Sequence, residues 1–422
     1  MHQLAAAAVD LAPLARRLEG SLLTDALALA AYATDASEYQ QRPRAVALPR
    51  SEADVRELVR FAAATRIGLI PRGAGTSLAG QVVGGGIVVD MGRHLDGIVA
   101  VDVAARRVRV QPGVVRNDLN RALVAHGLFF APETSTAGWA TIGGMVGNNS
   151  CGANSIAYGS TRDHLISARG FLADGSEATF GPLSPGDFAA KCAGPESLET
   201  GVYRLARTLL GNARTRALVR ESFPRPEVTR RNTGYALDAL MEASCFDPAS
   251  DRPFNFCRLL AGSEGTLFVG VEFELGLVPL PPPAALVCVH CRSVAEALEG
   301  TLVVMRRRGG DVMLTACELI DDKILGCTKD NAEQARNREF VVGEPGAVLV
   351  VELRHADGGR LAAGVEALEA DLQAAGVGYA FPVLHGDDGR RVWELRRAGQ
   401  GSWPGWGRSF RSSAPTAVAT SG

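Results

Sequence analysis

A chain of 422 residues exceeds one ordinary domain, and two or three are expected. With 46% hydrophobic and 21% charged residues it can fill a sizeable core, and a net charge of -2 without Lys/Arg tracts excludes nucleic acid as a main partner. No window approaches 18 uninterrupted apolar residues, so no membrane-spanning helix is expected, which leaves peripheral contact open.

The start, Met1 to Leu11, has a poly-Ala stretch but no basic region, and Asp10 follows at once. No signal peptide is expected, and the location expected is cytoplasmic, peripheral at the inner face of the membrane at most. Eight cysteines are ordinary for a reducing compartment. Residues 1–40 read as an N-terminal helical extension.

Ser51-Glu-Ala-Asp54 has the Ser-x-x-acid form of a helix start, and Val55, Leu58, Val59 and Ala62 follow at helical spacing. Ile67 to Ile70 is a short apolar strand running into Pro71. Strands follow at 86–90, 98–102 and 107–110, then a helix carrying Leu119 and Leu123 with Gly127 as its C-terminal cap. Short strands interleaved with helices indicate a mixed domain.

Residues 183–251 read as helical. Between Pro279 and Pro283 four of five residues are proline, which no helix or central strand survives, so a domain boundary is expected there. Beyond it a strand at 287–290, a helix at 293–306, a strand at 348–354 and a helix at 359–374 predict a second, smaller domain. Cys288-Val-His-Cys291 lies on the first of these strands, where residues three apart face opposite sides. Core packing is the better reading of that pair, and no metal site is expected.

Three glycine-rich runs carry the chemistry. Pro71-Arg-Gly-Ala-Gly-Thr-Ser-Leu-Ala-Gly-Gln81 follows a strand, and its glycines let successive N–H groups converge on an anion. The Rossmann pattern fails because Leu78 stands where a third glycine is needed after Gly73 and Gly75. The P-loop pattern fails because Gln81 and Val82 follow Gly80, so the phosphate lysine is missing. The second run extends from Pro132 to Asn154, rich in Gly, Ser, Thr and Asn, and suits the lining of a large polar ligand. The third is Ala261-Gly-Ser-Glu-Gly-Thr-Leu-Phe-Val-Gly270.

In this order and with these flanks, Arg72 to Gly80, Thr141-Ile-Gly-Gly144 through Gly152, and Gly262-Ser-Glu-Gly-Thr266 resemble the three FAD loops of the vanillyl-alcohol oxidase / p-cresol methylhydroxylase superfamily. Asn148 to Ser155 and Arg231 to Asp238 resemble the large D-lactate, glycolate and D-2-hydroxyglutarate dehydrogenases that carry a C-terminal iron–sulfur region. The likeness runs over about residues 40–400.

The resemblance implies an α+β fold: a two-lobed FAD-binding domain at 41–280 with its core at 41–180, then an incomplete α+β substrate (cap) domain at 281–399. It implies FAD as cofactor. The first loop would supply Arg72, Gly73, Ala74, Gly75, Thr76, Ser77 and Gly80, with the backbone from Gly73 to Ser77 cradling the pyrophosphate. The ribityl chain and isoalloxazine would meet Pro132, Glu133, Thr134, Thr141, Gly143, Gly144, Asn149, Ser150, Gly152 and Ala153. Glu264 and Gly265 would complete the cofactor site. Relatives that tether FAD do so through a histidine where this chain has Thr76, so the flavin is expected to be non-covalent.

Val392-Trp-Glu-Leu-Arg396 resembles the segment whose arginine grips the substrate carboxylate, a two-point contact that suits a guanidinium. Glu318 also matches a family position. The implied reaction is oxidation of a small D-2-hydroxy acid by hydride transfer to flavin N5, with electrons leaving to a quinone, cytochrome or flavoprotein carrier. The alternative is a non-catalytic FAD-binding subunit or remnant.

The family's Gly-His-x-Gly-Asp-Gly-Asn-x-His segment, with its metal ligands and base, has no counterpart. His385-Gly-Asp-Asp-Gly389 is an echo on the wrong side of the Trp-x-x-Arg segment. The cysteine clusters of an iron–sulfur region have no counterpart either. From Gln400 onward the amphipathic period stops, and Gly401 to Gly407 back-translated in a shifted frame can encode Leu-Leu-Ala-Gly-Val-Gly. Residues 400–422 are therefore expected to be an aberrant, disordered tail after a frameshift truncation.

Overall fold

The structure, a computed structural model, describes residues 9–225, 227–231, 234–329 and 331–401. Of the tail predicted at 400–422, Gln400 and Gly401 close the helix Gly386–Gly401, and the rest, with Trp403 and Trp406, lies outside the described residues. The chain forms two compact units. The first takes in the chain up to Phe130, Thr136–Ser150 and Ser160–Pro279. The second takes in Ala131–Ser135, Cys151–Gly159 and the chain from Leu280 on.

The first unit opens on a four-stranded sheet of β1 (Ser21–Leu23), β2 (Ala45–Leu48), β3 (Leu69–Arg72) and β4 (Ile87–Asp90), in the order β1-β2-β4-β3. β2, β4 and β3 run parallel, which requires a crossover, and the helix Glu52–Thr65 supplies it. Ser51 caps that helix by accepting from the Asp54 N–H at 3.3 Å. Val55 and Leu58 on its inner face are buried with Ala45, Ala47, Ile87 and Val89.

The N-terminal segment is not purely helical. The helices Ala12–Ala15 and Ala26–Ala31 flank β1, which pairs antiparallel with β2. The buried Asp54 carboxylate explains the docking: it accepts from the N–H groups of Glu19 (2.8 Å), Gly20 (2.9 Å) and Arg50 (2.8 Å). A three-residue strand carries no readable period.

Next come β5 (Ile98–Asp102), β6 (Arg107–Val110), the short β7 (Leu128–Phe129), β8 (Leu165–Phe171), β9 (Glu177–Phe180) and β10 (Val269–Gly276), which leads into β11 (Val278–Pro279). Five of these make an antiparallel sheet ordered β5-β6-β10-β8-β9, while β11 pairs with β7. β6 and β9 alternate exposed and buried residues, the mark of a sheet with one wet face. Phe180, Phe188, Tyr203, Phe254 and Phe256 pack ring on ring beneath it, with centroids such as Phe188–Phe254 4.5 Å apart. Phe188 and Tyr203 come from the helices Pro185–Ala193 and Leu198–Gly211, in the stretch predicted helical.

The second unit is built on β12 (Ala284–Cys291), β13 (Met313–Asp321), β14 (Ala347–Arg354) and β15 (Val383–Leu384), an antiparallel sheet ordered β13-β14-β12-β15. Helices Val294–Met305 and Gly358–Ala374 cover one face, and Asp322–Cys327 and Gly386–Gly401 the other. β12 and β14 are therefore buried on both sides and read as near-continuous apolar runs. Cys288 packs into one face and Cys291 into the other, both buried. Among the described residues no helix is long and apolar enough to cross a membrane.

Candidate flavin site

In the first unit the chain leaves β3 at Arg72 and enters the first glycine loop. A Cβ on Gly73 would collide with the Thr141 Oγ1, so the first and second loops touch where only glycine fits. Gly75 has φ +67°, and a side chain there would meet the Arg72 guanidinium at 2.5 Å. Among the described residues, none of the peptide N–H groups of Ala74, Gly75, Thr76 and Ser77 donates to a protein acceptor. Those donors are available to a ligand.

Arg72 is held beneath this loop. Its Nη1 donates to the Thr34 carbonyl at 2.8 Å, its guanidinium lies 5.3 Å from the Tyr32 ring centre, and burial lowers its pKa. The Tyr32 hydroxyl, pushed up by burial, donates to Asp90 at 2.6 Å. The Ala36 N–H donates to the Gly75 carbonyl at 3.0 Å. The segment around residues 32–36 thus braces the loop. Nothing in the local sequence signals this, because its contacts are 38 and 58 positions away.

Thr141 caps the helix Ile142–Asn148 by accepting from the Gly144 N–H at 3.3 Å. A Cβ on Gly143 would meet Pro112 at 2.7 Å. The helix ends at Asn149, left-handed at φ 50°, whose buried side-chain oxygen accepts from the Arg162 N–H at 2.8 Å. The Asn149 side chain is thus committed to closing the helix. Ser150 offers its carbonyl to the Thr161 hydroxyl at 2.8 Å.

The third loop lies against the second: the Gly262 N–H donates to the Val146 carbonyl (3.0 Å) and the Glu264 N–H to the Gly147 carbonyl (2.9 Å). Gly265, at φ 72°, approaches Pro71. Glu264 itself is left-handed at φ 54°. Its carboxylate accepts from Asn148 Nδ2 at 3.0 Å. Burial raises its pKa, and the amide of Asn148 acts against the rise. Arg162, which sequence reasoning missed, donates to the carbonyls of Arg258 (2.8 Å) and Ala261 (2.6 Å) and shapes the entry to this loop.

In the second unit, the segment holding Pro132, Glu133 and Thr134 lies beside the one holding Gly152 and Ala153. A Cβ on Gly152 would stand 2.6 Å from the Glu133 carbonyl oxygen, and Asn154 donates to the Glu133 carboxylate at 3.2 Å. Ile156, on the helix Ser155–Tyr158, packs on the core of the sheet.

The same unit brings together side chains far apart in sequence. Arg396, on the helix Gly386–Gly401, pairs with Glu318 of β13 at 2.5 Å, both largely buried. Beside this pair on β14, the buried Glu352 accepts from the Thr315 hydroxyl (2.6 Å), Arg354 Nε (2.8 Å) and Trp393 Nε1 (3.3 Å). Trp393 and Arg396 share one helix, so Glu352 fixes the helix that carries Arg396. His385 only meets the Ala284 carbonyl at 3.2 Å, and no group of three His, Cys, Asp or Glu among the described residues could hold a metal.

The residues present fit FAD: an anion cradle of unpaired N–H groups, glycines where any Cβ would collide, and a buried guanidinium below. The comparisons agree. Residues 43–181 match the FAD binding domain family. The chain is 36% identical over 310 residues to the D-2-hydroxyglutarate dehydrogenase of Pseudomonas putida, covering 72% of this chain and 29% of that protein. It is 34% identical over 316 residues to that of Escherichia coli K12, covering 74% and 29%. With the Bacillus subtilis glycolate oxidase subunit GlcD it shares 33% identity over 206 residues, covering 47% and 41%. The chain thus spans about 29% of the length of the first two. An alkyldihydroxyacetonephosphate synthase shares the fold at TM-score 0.62 and 15% identity, covering 92% of this chain and 61% of that one. A BBE-like protein of Physcomitrella patens does so at TM-score 0.57 and 12% identity, covering 90% and 62%.

Proposed function

We propose that this chain, which carries an FAD-binding domain of the p-cresol methylhydroxylase type in the branch of D-lactate, glycolate and D-2-hydroxyglutarate dehydrogenases, oxidises a small D-2-hydroxy acid and passes the electrons to a quinone, cytochrome or flavoprotein carrier. The observation that carries this reading is the Arg396–Glu318 pair set into the sheet of the second unit. Bound FAD supplies a two-electron acceptor; the protein supplies binding and electrostatics.

Gly73 to Ser77 offer N–H groups to the pyrophosphate, with Arg72 beneath them adding positive charge. Thr141, Gly143, Gly144, Asn149 and Ser150 are the second-loop positions assigned to the flavin in the first unit, and Pro132 to Thr134, Gly152 and Ala153 those in the second. Arg396 takes the substrate carboxylate by a planar two-point contact, exchanging its Glu318 partner for the ligand. A hydroxy acid also gives up its hydroxyl proton as hydride leaves C2. Glu318, freed of Arg396, is a carboxylate with an open oxygen that can take that proton.

The test is reduction of a dye acceptor by the FAD-loaded protein with D-lactate, D-2-hydroxyglutarate and glycolate, the L-enantiomers serving as controls. Turnover with a D-acid is expected, and Arg396→Ala should cut kcat/KM by about 10²-fold, the scale of a charged hydrogen-bond pair. A protein that binds FAD yet reduces no dye with any of these acids is instead a flavin-holding subunit. With threonine at 76, the flavin is held without a covalent bond, so acid precipitation releases the colour into the supernatant. Colour kept in the pellet would overturn that.

A further inference from the structure

At the end of the first glycine loop the described residues leave two large apolar side chains bare. Leu78, directly after the open N–H groups of Ala74 to Ser77, is 53% exposed, and Tyr39, beside Gly80, is 62% exposed. Gly80 has φ +76°, and a Cβ there would stand 2.8 Å from Tyr39 Cδ2, so only glycine lets the loop backbone approach that ring. The ring is also held from its own side. The Tyr39 N–H donates to Ser37 Oγ at 3.1 Å, the Ser37 N–H to Asp35 Oδ1 at 2.8 Å, and the Ala36 N–H to the Gly75 carbonyl at 3.0 Å. Among the described residues the Tyr39 hydroxyl makes no hydrogen bond. The turn thus fixes an aromatic ring at the surface without using its polar tip.

Singly scattered apolar residues are ordinary on a surface and call for no ligand. Two of them beside unpaired peptide donors make a different combination, an anion site with apolar walls. FAD has the matching composition, a pyrophosphate between two planar heterocycles. We propose that Tyr39 and Leu78 are cofactor-binding residues that cover one of the two planar rings of FAD once its pyrophosphate sits on Gly73 to Ser77. Isoalloxazine and adenine share the chemistry, since each offers a π face to an aromatic or aliphatic side chain. The inference rests on the pyrophosphate cradle proposed above and adds side-chain contacts where the cradle uses backbone.

Flavin fluorescence titration of the apoprotein, with FAD and with FMN, tests it. Tyr39→Ala should weaken FAD about tenfold, the scale of one lost stacking partner. Leu78→Ala should weaken it about fivefold, for the apolar area it withdraws. Tyr39→Phe keeps the ring and drops only an unbonded hydroxyl, so it should bind FAD within about twofold of the parent. FMN distinguishes the two rings, because it keeps the isoalloxazine and a phosphate but has no adenosine. Equal losses for FAD and FMN assign the isoalloxazine to Tyr39 and Leu78, and losses for FAD alone assign the adenine. Both side chains are largely exposed, so the thermal midpoints of the apoproteins should stay at the parent's value, which separates a lost cofactor contact from lost folding. Should Tyr39→Ala unfold, Leu78→Ala carries the test. Parent-like FAD affinity in both alanine variants overturns the proposal, and so does a loss in Tyr39→Phe as large as that in Tyr39→Ala. Gly75→Asp probes the cradle separately: FAD lost there but kept in both alanine variants leaves the cradle standing and removes its apolar walls.

Discussion

The glycine loops of the first unit and the polar cluster on the sheet of the second converge polar groups by different means. In the first glycine loop the open groups are the peptide N–H donors of Ala74 to Ser77, and glycines at 73, 75, 143 and 265 stand where a Cβ would crowd a neighbouring segment. On the sheet they are side chains of Thr315, Glu318, Glu352, Arg354, Trp393 and Arg396, drawn from two strands at adjacent register and a helix some 40 residues further on. A backbone site is specified by what is absent at Cβ. A side-chain site is specified by what is present, and a strand–helix framework must hold it. Damage to the first should therefore appear as lost ligand, and damage to the second as lost stability.

The largest effect should come from Gly75→Asp. At φ 67° any side chain is strained, and this one would push into the Arg72 guanidinium and set a negative charge in the anion cradle proposed for the pyrophosphate. Flavin absorbance of the purified protein should fall below detection, with far-UV circular dichroism unchanged. A variant that keeps its FAD would break the assignment of the loop.

Glu352→Ala should do the opposite. It strips the acceptor from Thr315, Arg354 and Trp393 at once and leaves the arginine buried without its carboxylate. Breaking a buried charge pair from one side costs about 3–5 kcal/mol. Chemical denaturation should show that loss in the second unit, while FAD content per folded molecule stays near one. Loss of flavin in parallel with stability would erase the contrast between the two regions.

The same contrast explains what the sequence could disclose. The glycine loops were legible because each is a local run with its own spacing, and the elements around them followed from caps and periods: Ser51 opens a helix, Gly127 closes one, and the prolines at 279–283 separate β10 from β12. Glu264 stood within a recognisable motif, but its bond to Asn148 spans 116 positions and no periodicity encodes it. Tyr32 and Thr34 under Arg72, Asp54 gripping β1, and Arg162 behind the third loop were hidden for the same reason. Glu352 was hidden by success: it sits in Ala347–Arg354, which reads as an apolar core strand, and its carboxylate is tolerated only because three donors surround it.

The smallest effect expected is a pH dependence confined to the second unit. His290, on β12 and fully buried, donates from Nδ1 to the Cys288 carbonyl at 2.9 Å and accepts at Nε2 from the Val342 N–H at 3.1 Å. That arrangement needs the neutral ring. Burial holds its pKa below the usual histidine value near 6.5, against backbone hydrogen bonds that favour the charged form. Above about pH 6.5 the folded and unfolded chains both carry a neutral ring, and the stability is whole. Between the lowered folded pKa and 6.5 the unfolded chain binds a proton that the folded one refuses, so stability falls as pH drops through that window. Each unit of difference is worth about 1.4 kcal/mol, and below the folded pKa the loss levels off. The thermal midpoint should therefore drop between pH 7.5 and 5.5 by more in the parent than in His290→Gln, whose amide oxygen can accept from Val342 but does not titrate. Equal drops in the two proteins would mean that His290 is not the group the acid limb reports.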